Sequence, residues 1–181
     1  FTEPVLMRIS SGELNGRLVC IMRTGRDLYE AHSDDDGSTW SIYTPVDFPG
    51  IDIRKTRDWE EMFAEIDDPA PHHYPSLVGG FVDPDVIEMK NGLVVCAFGL
   101  RIPEKLCWAN PAFPLNGNFL AFSKDQGSTW THIVQITSGI MTTHYMAVRE
   151  HNPNELCVLY DLGAWGKPGR RTCAISIEVD Y

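Results

Sequence analysis

Polar and apolar residues alternate in short runs, most cleanly in LYEAHS at 28–33 and NFLAFS at 118–123. Period two is the signature of half-buried β-strands. The apolar runs LVCIM at 18–22, LVVCAF at 93–98 and LCVLY at 156–160 also read as strands. Helical spacing appears in Trp59, Met62, Phe63 and Ile66, behind the candidate cap Asp58, so a short helix is expected there.

The strands recur as a unit. Ser33-Asp34-Asp35-Asp36-Gly37-Ser38-Thr39-Trp40 returns as Ser123-Lys124-Asp125-Gln126-Gly127-Ser128-Thr129-Trp130, sharing S-x-D-x-G-x-T-W. Each copy sits between two alternating runs, so it predicts a tight turn in a hairpin. Glycine supplies a positive φ, and aspartate bonds the turn amides. Trp40 and Trp130 are expected to fold back as buried plugs between sheets.

Upstream of the boxes, Glu3-Pro4-Val5 followed by Gly16–Arg23 matches Asp83-Pro84-Asp85 followed by Gly92–Gly99. A third copy runs from His144 through Glu155–Tyr160 to Arg171–Ile177, without a box. Three or four short strands in up-and-down order describe a propeller blade. The expected organisation is a blade over 1–49 with its box at 33–40, an insertion over 50–81, a blade over 82–138 with its box at 123–130, and a blade over 142–181. A second surplus stretch lies within 100–116.

Composition narrows the partners. Fifteen basic against 25 acidic residues leave a net charge of −10, which repels a phosphate backbone, so no nucleic acid is expected. The longest apolar stretch, Gly92–Leu100, is far short of the about 20 residues that span a bilayer, so no membrane span is expected. Five cysteines without a CxxC pair argue against a disulfide framework and a zinc knuckle. His72-His73 has no third ligand at recognisable spacing, so neither metal nor cofactor is expected. No charged start followed by an apolar stretch is seen, and compartment is not read from this terminus.

The octapeptide is similar to the Asp box, and two copies joined to such strands resemble the sialidase superfamily of β-propellers. The resemblance covers nearly the whole chain outside the insertions. It implies an all-β fold, about three four-stranded blades forming the C-terminal half of a six-bladed propeller, with the remaining blades upstream of residue 1. The box shapes a turn and occurs in propellers of several activities.

If the box joins the third and fourth strands, starts of first strands and ends of second strands share the opposite face. Glu3 and Tyr145 open first strands there, and Arg23 and Arg101 follow second strands. In sialidases a glutamate, two arginines and a tyrosine come in this order. The resemblance therefore implies Tyr145 as nucleophile, Glu3 as its base, and Arg23 and Arg101 as a clamp on the substrate carboxylate. A phenol suits that role, because a carboxylate nucleophile would be repelled by the sugar's own carboxylate, and a guanidinium fork holds that group by paired bonds. Tyr160 and Asp161 read as structural.

The implied function is a retaining exo-glycosidase acting on sialic acid or a similar acidic sugar on glycans, in a secreted or periplasmic setting. The family's Phe-Arg-Ile-Pro-type segment and its acidic proton donor have no counterpart, so the isolated chain is not expected to turn over a sialoside. Two alternatives stand beside it: a non-catalytic propeller binding glycan or protein, and a related polysaccharide lyase.

Overall fold

The computed structural model describes residues 2–24, 27–51, 80–101, 116–140, 142–163 and 168–180. The expected helix behind Asp58, the His72-His73 pair and most of the second surplus stretch lie outside them. All the regular elements among these residues are strands.

Strands β1 (Thr2–Arg8), β2 (Leu18–Arg23), β3 (Leu28–Ser33) and β4 (Thr44–Pro45) form one antiparallel sheet in chain order. The second holds β5 (Gly80–Glu88), β6 (Val94–Arg101), β7 (Gly117–Ser123) and β8 (His132–Gln135), in the same order. In the third, β10 (Glu155–Leu162) lies between β9 (Met146–Asn152) and β11 (Arg171–Glu178). The first strands face one another, β1 against β5 and β5 against β9, so the sheets share an inner side.

The second sheet is the middle layer, and the alternation of β6 shows how its sequence builds two cores at once. Val94, Cys96, Phe98 and Leu100 point into a cluster shared with the first sheet. Val95 and Ala97 point into a cluster shared with the third. A strand covered on both faces reads as a continuous apolar run, as LVVCAF does. Aromatic rings fill the first interface: Phe98 stacks on Phe48 at 4.4 Å between centroids, and Phe48 meets Trp130 at 5.7 Å.

Both octapeptides form the same turn. The Ser33 hydroxyl accepts the Gly37 N–H at 2.8 Å and donates to Asp35 Oδ1 at 2.8 Å. Asp35 also accepts the Thr39 N–H at 2.8 Å and the Thr39 hydroxyl at 2.6 Å. Ser123, Asp125, Gly127 and Thr129 repeat these bonds within about 0.1 Å. Gly37 and Gly127 sit at φ +85 and +94, where a side chain is strained.

The tryptophans differ, against expectation. Trp130 is buried against Phe48 from the segment that follows β4, whereas Trp40 is 43% exposed. Trp40 lies beside Leu18 on the face of the first sheet that turns away from the second, and no described element covers it.

Carboxylates stitch the sheets together along their inner strands, whose outer edges have no neighbouring strand among the described residues. At one end Glu3 accepts the Asp83 N–H at 3.0 Å, and Asp83 accepts the Met146 N–H at 3.1 Å. At the other, Glu88 accepts the Ser10 N–H at 2.5 Å, and Glu150 accepts the Lys90 N–H at 2.8 Å. Satisfying these donors removes a cost of unpaired backbone, and part of the acidic excess is used in this way.

Candidate functional site

Antiparallel order places the starts of β1, β5 and β9 beside the ends of β2 and β6, on the face opposite the octapeptide turns. Three residues at equivalent places, Glu3, Asp83 and His144, have φ of 46, 46 and 66. Such left-handed, non-glycine backbone is strained by about 1–3 kcal/mol and clusters at functional sites. The β1–β2 register breaks between Thr2 and Val5, and the β5–β6 register breaks between Val82 and Asp85. Bulges of this kind re-aim side chains, and here they send Glu3 and Asp83 toward the next sheet.

The structure brings Glu3, Arg23, Arg101 and Tyr145 together. The Tyr145 hydroxyl donates to Glu3 Oε1 at 2.9 Å. Arg23 Nη1 donates to both Glu3 oxygens at 2.9 Å, and Arg23 Nε is buried without a hydrogen-bond partner among the described residues. Arg101 lies 5.6 Å from the centroid of the Tyr145 ring, a cation–π arrangement, and donates through Nη2 to the Thr143 carbonyl at 2.6 Å. Tyr145 is 38% exposed while Arg101 is 8% exposed, so the phenol is offered to solvent and the Arg101 guanidinium lies beneath it.

The charges are arranged around Glu3. Burial works to raise its pKa, yet hydrogen bonds from Arg23, the Asp83 amide and Tyr145 outweigh it, leaving Glu3 below its ordinary 4.5. Burial, then the Glu3 hydrogen bond and charge, push Tyr145 above the ordinary 10.0. Asp83 shifts upward through burial, with the charges of Glu3 and Asp85 adding to it. His144, 1% exposed, is held down at about 4 by burial and the Arg101 charge, so it is neutral near pH 7.

The supporting residues are harder to find from sequence. Asp83 is signalled by Asp83-Pro84 matching Glu3-Pro4. Thr142 and Thr143 carry no signal, because their bonds to Asp161 depend on a contact between sheet end and loop. Among the described residues, no group of three or more His, Cys, Asp or Glu is arranged to hold a metal.

No family model matches the chain, and no curated protein matches it in sequence. Solved structures do match. The NanB sialidase of Streptococcus pneumoniae superposes with TM-score 0.55 and 15% identity, over 96% of this chain and 23% of its own. The α-L-arabinanase of Penicillium chrysogenum superposes with TM-score 0.54 and 15% identity, over 96% and 45%. The fold is part of a β-propeller. A protein of unknown function from Dyadobacter fermentans also superposes, at TM-score 0.54 and 16% identity, over 98% of this chain and 50% of its own. The chain thus spans half or less of the length of these proteins.

Proposed function

We propose that the chain is part of a propeller glycoside hydrolase that removes sialic acid or a similar acidic sugar with retention, its octapeptides being Asp boxes. The observation that carries this reading is the 2.9 Å hydrogen bond from the Tyr145 hydroxyl to Glu3. A phenol becomes a nucleophile only if its proton leaves, and a carboxylate in contact with it is the acceptor required. Tyr145 Oη attacks the anomeric carbon, the bond to the leaving oxygen breaks, and the phenol proton passes to Glu3. The leaving oxygen takes its proton from a group outside these four residues.

Arg23 gives the substrate a second part to play. While it is bound to both Glu3 oxygens, Glu3 is a weak base. A sugar carboxylate engaging Arg23 shares that positive charge, so Glu3 grows more basic as substrate binds. Arg101 supplies a second positive charge beneath the reacting ring, stabilising the phenolate as it forms. Two arginines at one site also reconcile an acidic protein with an acidic ligand.

The closed Glu3–Arg23 pair supports a second reading, a propeller that holds glycan without cleaving it. Hydrolysis of sialyllactose by the chain joined to its remaining blades separates the two. The glycosidase reading expects release of sialic acid, no release from arabino-oligosaccharides, and at least about a hundredfold loss with Tyr145→Phe. Binding without release favours the second reading, and release unaffected by Tyr145→Phe contradicts the first.

A further inference from the structure

We propose that Asp161 is the positioning residue of this site, holding the Thr142–Thr143 segment so that Tyr145 meets Glu3 and Arg101 lies beneath the ring. The proposal rests on the reading of Tyr145 and Glu3 given above. Asp161 stands at the end of the second strand of the third sheet, buried at 7% exposed. Its carboxylate collects the polar groups of the segment that leads into β9. Oδ1 accepts the Thr142 hydroxyl at 2.9 Å, the Thr143 N–H at 3.1 Å and the Thr143 hydroxyl at 2.7 Å. Oδ2 accepts Arg170 Nε at 2.8 Å.

The consequences pass along the chain in both directions. Thr142 Oγ1 accepts the His144 N–H at 2.9 Å, which helps to hold His144 in its left-handed conformation. That conformation turns the next residue, Tyr145, toward Glu3. The Thr143 carbonyl, fixed by the same network, accepts Arg101 Nη2 at 2.6 Å and so sets the guanidinium under the ring. One buried carboxylate therefore fixes both the phenol and the cation beside it. Charge-assisted bonds to a buried acceptor are the strong kind, and supporting shells of this sort decide whether a site is held in its working geometry.

A merely structural aspartate would lower stability when removed and leave the environment of Tyr145 in the folded protein unchanged. The ionisation of Tyr145 tells the two apart. Its pKa is raised by burial and by Glu3, with Arg101 and Arg23 opposing, so loss of the Glu3 contact lowers it. The experiment is a pH titration of the full chain labelled with [¹³Cζ]tyrosine, followed by NMR, with the Tyr145 signal assigned by its loss in Tyr145→Phe. Asp161→Ala is expected to shift the Tyr145 titration downward. Asp161→Asn is expected to shift it less, because the amide oxygen can still take the three threonine bonds made to Oδ1 while the amide nitrogen loses the bond from Arg170. A folded Asp161→Ala protein with an unchanged Tyr145 titration overturns the proposal, as does an Asn variant shifted as far as the Ala variant. If Asp161→Ala does not fold, the isosteric Thr143→Val replaces it, with a downward shift expected and no shift overturning the proposal. The titration needs no turnover, so failure of the glycosidase reading and failure of the positioning role are seen separately.

Discussion

Gly99 lies so close to His144 that a Cβ on it would stand 2.1 Å from the His144 carbonyl oxygen. The second strand of one blade and the opening residue of the next are thus in backbone contact, immediately beside Tyr145. The neighbours within 3 Å of that Cβ also include His144 Cβ and Val82 Cγ2, so the clash falls partly on backbone that has nowhere to go.

Gly99→Ala should therefore destabilise the chain by about 1–3 kcal/mol, the usual cost of overpacking, and move the Tyr145 segment. Thermal unfolding by circular dichroism checks the first part. An unchanged Tm would mean that the blades are not in backbone contact.

Trp130→Ala should cost about 3–5 kcal/mol, since it empties an aromatic interface. Trp40→Ala in the same chain should cost far less, because Trp40 is 43% exposed. Denaturant unfolding of the two variants measures the difference, and equal losses would contradict the packing described for the first blade.

Acid should loosen the fold. Glu3, Glu88, Asp125 and Asp161 all have folded pKa values below their ordinary 4.5 or 3.8. Depressed carboxylates contribute stability that is fully present above the unfolded values and is lost as pH falls through the lower, folded ones. Asp83, with its raised pKa, works in the opposite direction and offsets part of this. His144, held down at about 4 from its ordinary 6.5, adds a loss that begins as pH falls below about 6.5, because the unfolded chain takes up that proton first. The Tm should therefore be nearly level above about pH 7, decline below about pH 6.5 and fall more steeply below about pH 4. Glu88→Gln, which loses the carboxylate accepting from Ser10 and Ser11, should flatten that fall.

Arg23→Gln should raise the Glu3 pKa, because it removes both the leading hydrogen bond and the positive charge that lower it. Carboxyl-carbon NMR of the labelled chain reads this directly. A Glu3 titration that stays where it was would mean that Arg23 does not govern its basicity.

Much of the fold is legible in the residues themselves. The octapeptides mark both turns because hydroxyl, carboxylate and glycine all act within a single turn, so each shared position has a local reason. The period-two runs mark the strands, and the two acid–proline pairs mark the inner strand starts. What stays hidden depends on distant parts of the chain. Trp40 and Trp130 share a motif, and only the neighbouring blade decides which is buried. The bonds from Glu3 to Asp83 and from Glu88 to Ser10 join residues about 80 apart, where spacing carries no signal. Arg101 reads from sequence as an open clamp, and its bond to the Thr143 carbonyl follows from a loop whose course is set by Asp161.

On the glycosidase reading, Tyr145 itself forms the bond to the sugar. Mass spectrometry of a rapidly quenched reaction, using the chain joined to its remaining blades and a sialoside with a good leaving group, would catch that bond. The expected result is a peptide containing Tyr145 that is heavier by one sugar residue, absent in Tyr145→Phe. Efficient turnover with the adduct on Glu3 would contradict it.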